Sequence, residues 1–175
     1  MTAPIIVTAL FGAGDFAILD ALRRAHFPPE RNVLRAHLTM FHHLPPSVVG
    51  EVSGLLQDEA RGNDPRARLA SLINLGGGVA FRLESPELED IRARIADRFA
   101  SMLMPQDRNP WRPHVTVQNK VKPPEARALL DALSVDFRPR ALELAGLAAF
   151  YYRGGPWEPI AAYAFGTGRK IMAPA

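Results

Sequence analysis

Residues 35 to 40 read Arg-Ala-His-Leu-Thr-Met, and residues 112 to 117 read Arg-Pro-His-Val-Thr-Val. Each stretch sets a histidine two positions before a threonine. In an extended strand residues two apart share a face, so His37 would stand beside Thr39 and His114 beside Thr116. Arg35 and Arg112 fall on the same faces, and Leu38 and Met40 on the opposite, core-directed side. Imidazole is the side chain whose ordinary pKa lies near neutrality: a neutral one accepts a proton from water, and a protonated one gives a proton to a departing oxygen. Cleavage of a P–O ester needs both transfers. The threonine hydroxyls can hold the non-bridging phosphate oxygens, where charge builds in the transition state. Such a site requires no metal and no cofactor.

The two histidines lie 77 positions apart. Both stretches follow a helical pattern, and both precede a proline pair, Pro45-Pro46 and Pro123-Pro124, that opens another amphipathic helix. This points to a duplicated strand-helix-strand-helix unit rather than a short solenoid repeat. For one motif alone, a hydrogen-bonded strand histidine beside a threonine of high β-propensity is the simpler reading. The composition gives roughly 0.1 chance occurrences of His-apolar-Thr/Ser-apolar, so the repetition favours catalysis or phosphate binding. A pseudo-twofold relation between the halves would bring the two polar faces together across a cleft.

Other residues compete for roles. His43 shares strand parity with His37 but lies roughly 20 Å along the strand. His42, of opposite parity, is expected to be structural or near the surface. A metal at His42-His43 would need further ligands that the sequence does not place, and His26, near a helix C-terminus, is explained by the helix dipole. Arg35 and Arg112 either clamp the phosphate or run out to solvent. Among Phe150, Tyr151, Tyr152 and Trp157, Tyr152 and Trp157 are candidates to stack a base, although strand alternation puts half of such a set in the core. Arg92, Arg94 and Arg98 read as the solvated face of a helix.

These residues need a scaffold, and periodicity predicts one. Residues 5–11 are a buried strand, followed by a helix capped by Asp15 with Phe16, Leu19 and Leu22 inward. A strand at 34–44 and a helix from Ser47 to near Arg61 come next. Strands at 68–75 and 79–83 flank three glycines as a hairpin. Ser85 caps a helix with Pro86 in its first turn and Leu88, Ile91, Ile95, Phe99 and Met102 on one face. A strand at 111–121, a helix at 124–133 and strands at 141–152 and 159–165, joined by a turn at 153–157, complete the chain. The order predicts an α+β architecture with largely antiparallel sheets.

The 175 residues fit one domain or two intimately packed half-domains. With 47% hydrophobic and 22% charged residues the composition is that of a globular protein, not a disordered one. The absence of cysteine excludes disulfide frameworks, thiolate-ligated metals and thiol nucleophiles, and a cytoplasmic location is expected. No signal peptide is recognisable at residues 1–10, and the most apolar stretch, 142–152, is cut off by Arg153-Gly154-Gly155, so no membrane span is expected. A net charge of +3 is too mild for general DNA binding. All of the 21 basic residues except Lys120, Lys122 and Lys170 are arginine, which suits phosphate; codon bias in an alanine-rich chain explains that ratio more simply.

The paired motifs His37-Leu38-Thr39-Met40 and His114-Val115-Thr116-Val117 resemble those of the 2H phosphoesterase superfamily, in its 2′-5′ RNA ligase-like branch. The triple glycine before Val79, the Glu84-Ser85-Pro86-Glu87-Leu88 helix start, Arg112-Pro113-His114 and the closing hairpin around Trp157 extend the likeness over nearly the whole chain. The resemblance implies a single bilobal domain over residues 1–175: two pseudo-symmetric lobes of antiparallel sheet, with outer helices, around a central groove. It also implies that His37 and His114 are the catalytic pair and that Thr39 and Thr116 hold the phosphate, typically without metal. Implied substrates are RNA or nucleotides with a 2′,3′-cyclic phosphate, opened to a 2′-phosphate, or with a 2′-5′ linkage, and some members ligate RNA reversibly. A monomer is expected. The alternative is a non-catalytic RNA-end or nucleotide-binding module that keeps the groove. Met40 stands where an aliphatic residue is more usual, on the core side.

Overall fold

The computed structural model describes residues 3–174. Its elements, in chain order, are β1 (Ile5–Phe11), α1 (Ala13–His26), β2 (Leu38–Leu44), α2 (Val49–Ala60), β3 (Ala67–Asn74), β4 (Val79–Glu84), α3 (Pro86–Arg98), α4 (Pro105–Arg108), β5 (His114–Gln118), α5 (Pro123–Asp136), β6 (Arg140–Leu142), β7 (Leu144–Tyr151), β8 (Glu158–Ala164) and β9 (Lys170–Ile171). They form two antiparallel sheets, one ordered β2-β1-β7-β8-β9 and the other β5-β4-β3-β6. The architecture is α+β.

A strand-helix-strand-helix order recurs in this topology. The unit β1-α1-β2-α2 and the unit β4-α3-β5-α5, which carries α4 as an insertion before β5, each pair their first strand with their second, and each leaves the second strand on a sheet edge. Helix α2 covers β7 and β8, and α5 covers β3 and β4. Helix α1 instead packs against β5, and α4 against β2, so each motif-bearing edge is covered from outside its own sheet. One hydrophobic core serves both sheets, with Ile5, Leu38 and Leu147 from one and Val79, Val115 and Leu83 from the other.

Local chemistry explains most element boundaries. The Ser85 hydroxyl accepts from the Leu88 amide at 3.3 Å and caps α3, Pro86 sits in its first turn, and Leu88, Ile91 and Ile95 are buried. Met102 does not extend that face: the helix ends at Arg98, a short 3₁₀ turn follows, and Met102 is exposed. Asp15 is not a cap either. Its carboxylate lies in the first turn of α1 and accepts from Arg140 Nη1 at 2.6 Å and from the Glu143 amide at 2.7 Å. Those contacts mark the place where the expected single strand at 141–152 breaks. The chain crosses between sheets at Glu143, leaving β6 in one and β7 in the other.

The hairpin glycines are needed for close approach. Leu75 N–H donates to the Gly78 carbonyl at 2.8 Å to close the turn, Gly76 has φ +86, and a Cβ on Gly78 would overlap the Gln118 carbonyl oxygen at the end of β5. Gly78→Ala is therefore expected to push β5 outward and cost about 2 kcal/mol, read as a fall of about 4–8 °C in Tm. An unchanged melting temperature would show that the turn yields freely. No helix among the described residues is long and apolar enough to cross a membrane.

Candidate active site

The two histidine motifs occupy the edge strands β2 and β5, which meet between the sheets. The strands are shorter than expected. Regular pairing begins at Leu38 and at His114, so His37 stands one residue before its strand and His114 opens its own. His37, Thr39, His114 and Thr116 line one groove of about 570 Å³. Met40 is fully buried behind it.

Each imidazole is held the same way. His37 Nδ1 lies 2.7 Å from the Arg35 carbonyl, and His114 Nδ1 lies 2.7 Å from the Arg112 carbonyl. A carbonyl only accepts, so Nδ1 carries the proton in both rings and Nε2 is left to exchange protons. The surroundings differ. His114 is exposed, whereas His37 is half-buried, with the Trp157 ring edge-on at 4.8 Å. Burial pushes the His37 pKa down to about 4; the Arg35 carbonyl opposes the shift, and nearby Arg23, His114 and His42 add to it. At neutral pH His37 is an unprotonated base.

Two buried arginines brace the strands that carry the motifs, each reaching from the opposite half. Arg23 of α1 donates from Nη1 to the Thr116 carbonyl at 3.0 Å and from Nε to the Leu34 carbonyl and Asn32 Oδ1, both at 2.9 Å. Arg92 of α3 donates from Nε to the Met40 carbonyl at 2.8 Å and from Nη2 to the Asp107 carbonyl at 3.0 Å. The expectation that Arg92 belongs to a solvated face is corrected: it is buried, while Arg94 and Arg98 are exposed and paired with Glu59 and Glu51. Trp111 adds a bond from Nε1 to the Thr39 carbonyl at 3.0 Å.

His42 also lines the groove, which strand parity did not predict; His43 does not. The reason is a double irregularity in the β1–β2 ladder. From Thr39 to Leu44, β2 spends two more residues than β1 spends from Thr8 to Ile5. Met40 and Phe41 are consequently both buried, and His42 turns toward the groove. Its Nδ1 lies 3.0 Å from Asp107 Oδ1, and the Asp107 carboxylate also accepts from the amides of His42 and His43, each at 3.0 Å. Burial by itself raises the Asp107 pKa; these hydrogen bonds outweigh it and hold the carboxyl below its ordinary value. Asp107 sits on α4, too short to leave a periodic signal.

The remaining candidates divide. Arg112 and Trp157 line the groove. Arg35 does not: its guanidinium lies over the Phe16 ring at 4.7 Å and 3.6 Å from Asp20, on the wall of a neighbouring cavity. Tyr152 is exposed and lines neither space, and Phe150 is buried beneath Trp157. Among the described residues no group of three or more His, Asp or Glu side chains could hold a metal ion.

The family model described as the 2′-5′ RNA ligase superfamily matches residues 13–156. No curated protein matches the chain. Among solved structures, TT0787 of Thermus thermophilus is 15% identical with a TM-score of 0.59, covering 95% of this chain and 99% of that one. E. coli LigT complexed with 3′-AMP is 18% identical with a TM-score of 0.57, covering 94% and 99%. A structure described as a phosphoesterase is 17% identical with a TM-score of 0.56, covering 94% and 99%. At these identities the likeness carries the fold.

Proposed function

The chain belongs to the 2′-5′ RNA ligase superfamily, and we propose that it is a metal-independent phosphoesterase that opens 2′,3′-cyclic phosphates of RNA or nucleotides to 2′-phosphates, or hydrolyses 2′-5′ phosphodiesters. One observation carries this reading: two imidazoles from two different sheets, each fixed through Nδ1 by the carbonyl two residues before it, share a groove with two threonines.

The surroundings of each ring support a role for it. His37, neutral at pH 7, takes a proton from water on Nε2 as the water oxygen forms its bond to phosphorus. The P–O3′ bond breaks, and His114 gives the proton on its Nε2 to the departing 3′ oxygen. Thr39 and Thr116 hydroxyls donate to the non-bridging oxygens through the transition state, and Arg112 adds positive charge at the wall. The products are a 2′-phosphate and a free 3′-hydroxyl. With a 5′-hydroxyl in place of water, the same two transfers open the cyclic phosphate to a 2′-5′ linkage and a free 3′-hydroxyl, which is the ligase direction.

The test is hydrolysis of the four nucleoside 2′,3′-cyclic monophosphates, and of a short RNA with a 2′,3′-cyclic phosphate end, in EDTA. Turnover to the 2′-phosphate is expected. A base with its pKa near 4 predicts that kcat/KM does not fall between pH 7 and about pH 5. A tenfold fall per unit below about pH 6.5, the ordinary imidazole value, would assign the base to another group. No turnover, with histidine-dependent nucleotide binding, would make the chain a binding module.

A further inference from the structure

The groove is one of two concavities of similar size that meet at His37 and Trp157. The second, about 590 Å³, lies over the face of the five-stranded sheet turned away from the shared core. Its lining is more apolar than the groove's. Ala148, Phe150 and Ala162 form a small buried cluster of their own on this face, with Leu10 and Trp157 packed against it. Phe16 contributes a wall. On its rim Val33 and Met172 stand 61% and 93% exposed. Large apolar side chains held in water around an apolar hollow mark a ligand site, and the volume falls in the range of about 300–1,000 Å³ typical of small-molecule pockets.

The polar side chains on this lining are few: the Arg35 guanidinium lies over Phe16 and 3.6 Å from Asp20, His37 Nδ1 donates to the Arg35 carbonyl, and Thr8 is buried in the floor. A ring with many donors and acceptors would lose its water there and gain few bonds in return. A ring without them loses nothing and removes apolar surface from water. We infer that this cavity receives an apolar aromatic group esterified to the phosphate held between His37 and His114, so that the substrates include phosphodiesters with one apolar arm. The inference rests on the groove being the phosphate site. It adds to that reading a selectivity for the ester's substituent: the shared residues His37 and Trp157 set the cavity directly beside the groove, within reach of a substituent on that phosphate.

Calorimetric Kd values for methyl phosphate, 1-naphthyl phosphate and adenosine 3′-monophosphate test it. For the unaltered protein, naphthyl phosphate is expected to bind about tenfold or more tighter than methyl phosphate, and tighter than the nucleotide. Leu10→Gln on the floor, and the double variant Val33→Gln/Met172→Gln on the rim, are expected to bring the naphthyl-to-methyl ratio toward one. The rim positions are exposed, so that variant reports even where Leu10→Gln fails to fold. A ratio near one in the unaltered protein, a ratio that survives in the rim variant, or tightest binding of the nucleotide overturns the inference. Parallel assay of cyclic nucleotide turnover keeps the two readings apart. Turnover without naphthyl preference removes the cavity's ligand alone, and naphthyl preference without turnover removes phosphoester cleavage and leaves the cavity's ligand standing.

Discussion

Alanine in place of His37 or His114 is expected to lower kcat on a 2′,3′-cyclic phosphate by about 10²–10⁴-fold, with EDTA present throughout. His114 is exposed and His37 half-buried, so both variants should fold. The double variant should lose little more than either single one, because the two transfers act as a unit. The roles are separable by leaving group. An ester whose alcohol leaves as a stable anion, such as p-nitrophenolate, has little need of an acid. His114→Ala should therefore lose much less activity on a p-nitrophenyl diester than on an alkyl one, while His37→Ala loses activity on both. Equal losses for the two variants on both substrates would sink the assignment of His37 as base and His114 as acid.

The second large effect concerns stability. Arg23→Met and Arg92→Met each leave two carbonyls without these donors, the half-buried ones of Leu34 and Thr116 in one case and the buried ones of Met40 and Asp107 in the other. Unsatisfied buried groups of this kind cost about 2–4 kcal/mol for each variant, or about 5–15 °C in Tm for a chain of this length. Arg98→Met is the control. Its partner is Glu51, both side chains are exposed, and such a pair is worth about 0–1 kcal/mol. Thermal melts that rank all three variants together would show that the buried arginines do not brace the edge strands. The brace has a functional consequence, since Thr116 and Met40 belong to the motif strands themselves.

Much of the scaffold was legible in local pattern. Ser85 and Pro86 announce α3, and the Gly76–Gly78 hairpin joins β3 to β4 where expected. Errors came where distant parts of the chain meet. Asp15, a plausible cap by sequence, is drawn to Arg140 and the Glu143 amide more than a hundred residues away. Arg92 looks like surface on a helical wheel, and lies buried because β2 and α4 both present carbonyls to it. Strand parity misplaced His42, since each bulge adds a residue to one strand only and reverses the facing of the residues up to the next irregularity.

The proposed chemistry is read from residue types at short spacing, because hydrogen-bonding capacity, proton affinity and strand alternation are properties of a residue and its near neighbours. The sequence alone established two histidine–threonine motifs in equivalent settings, the need for helices behind them and the phosphoester chemistry that they suit. Their confrontation is a different kind of fact. It depends on β2 and β5 both becoming edge strands, on Arg23 and Arg92 crossing between halves, and on which imidazole is covered by Trp157 and which is left to water. Desolvation and Coulomb interactions act through space rather than along the chain. The lowered pKa of His37, and with it the proposed division of labour between the two motifs, therefore arises only when the fold brings residues from both halves around one ring.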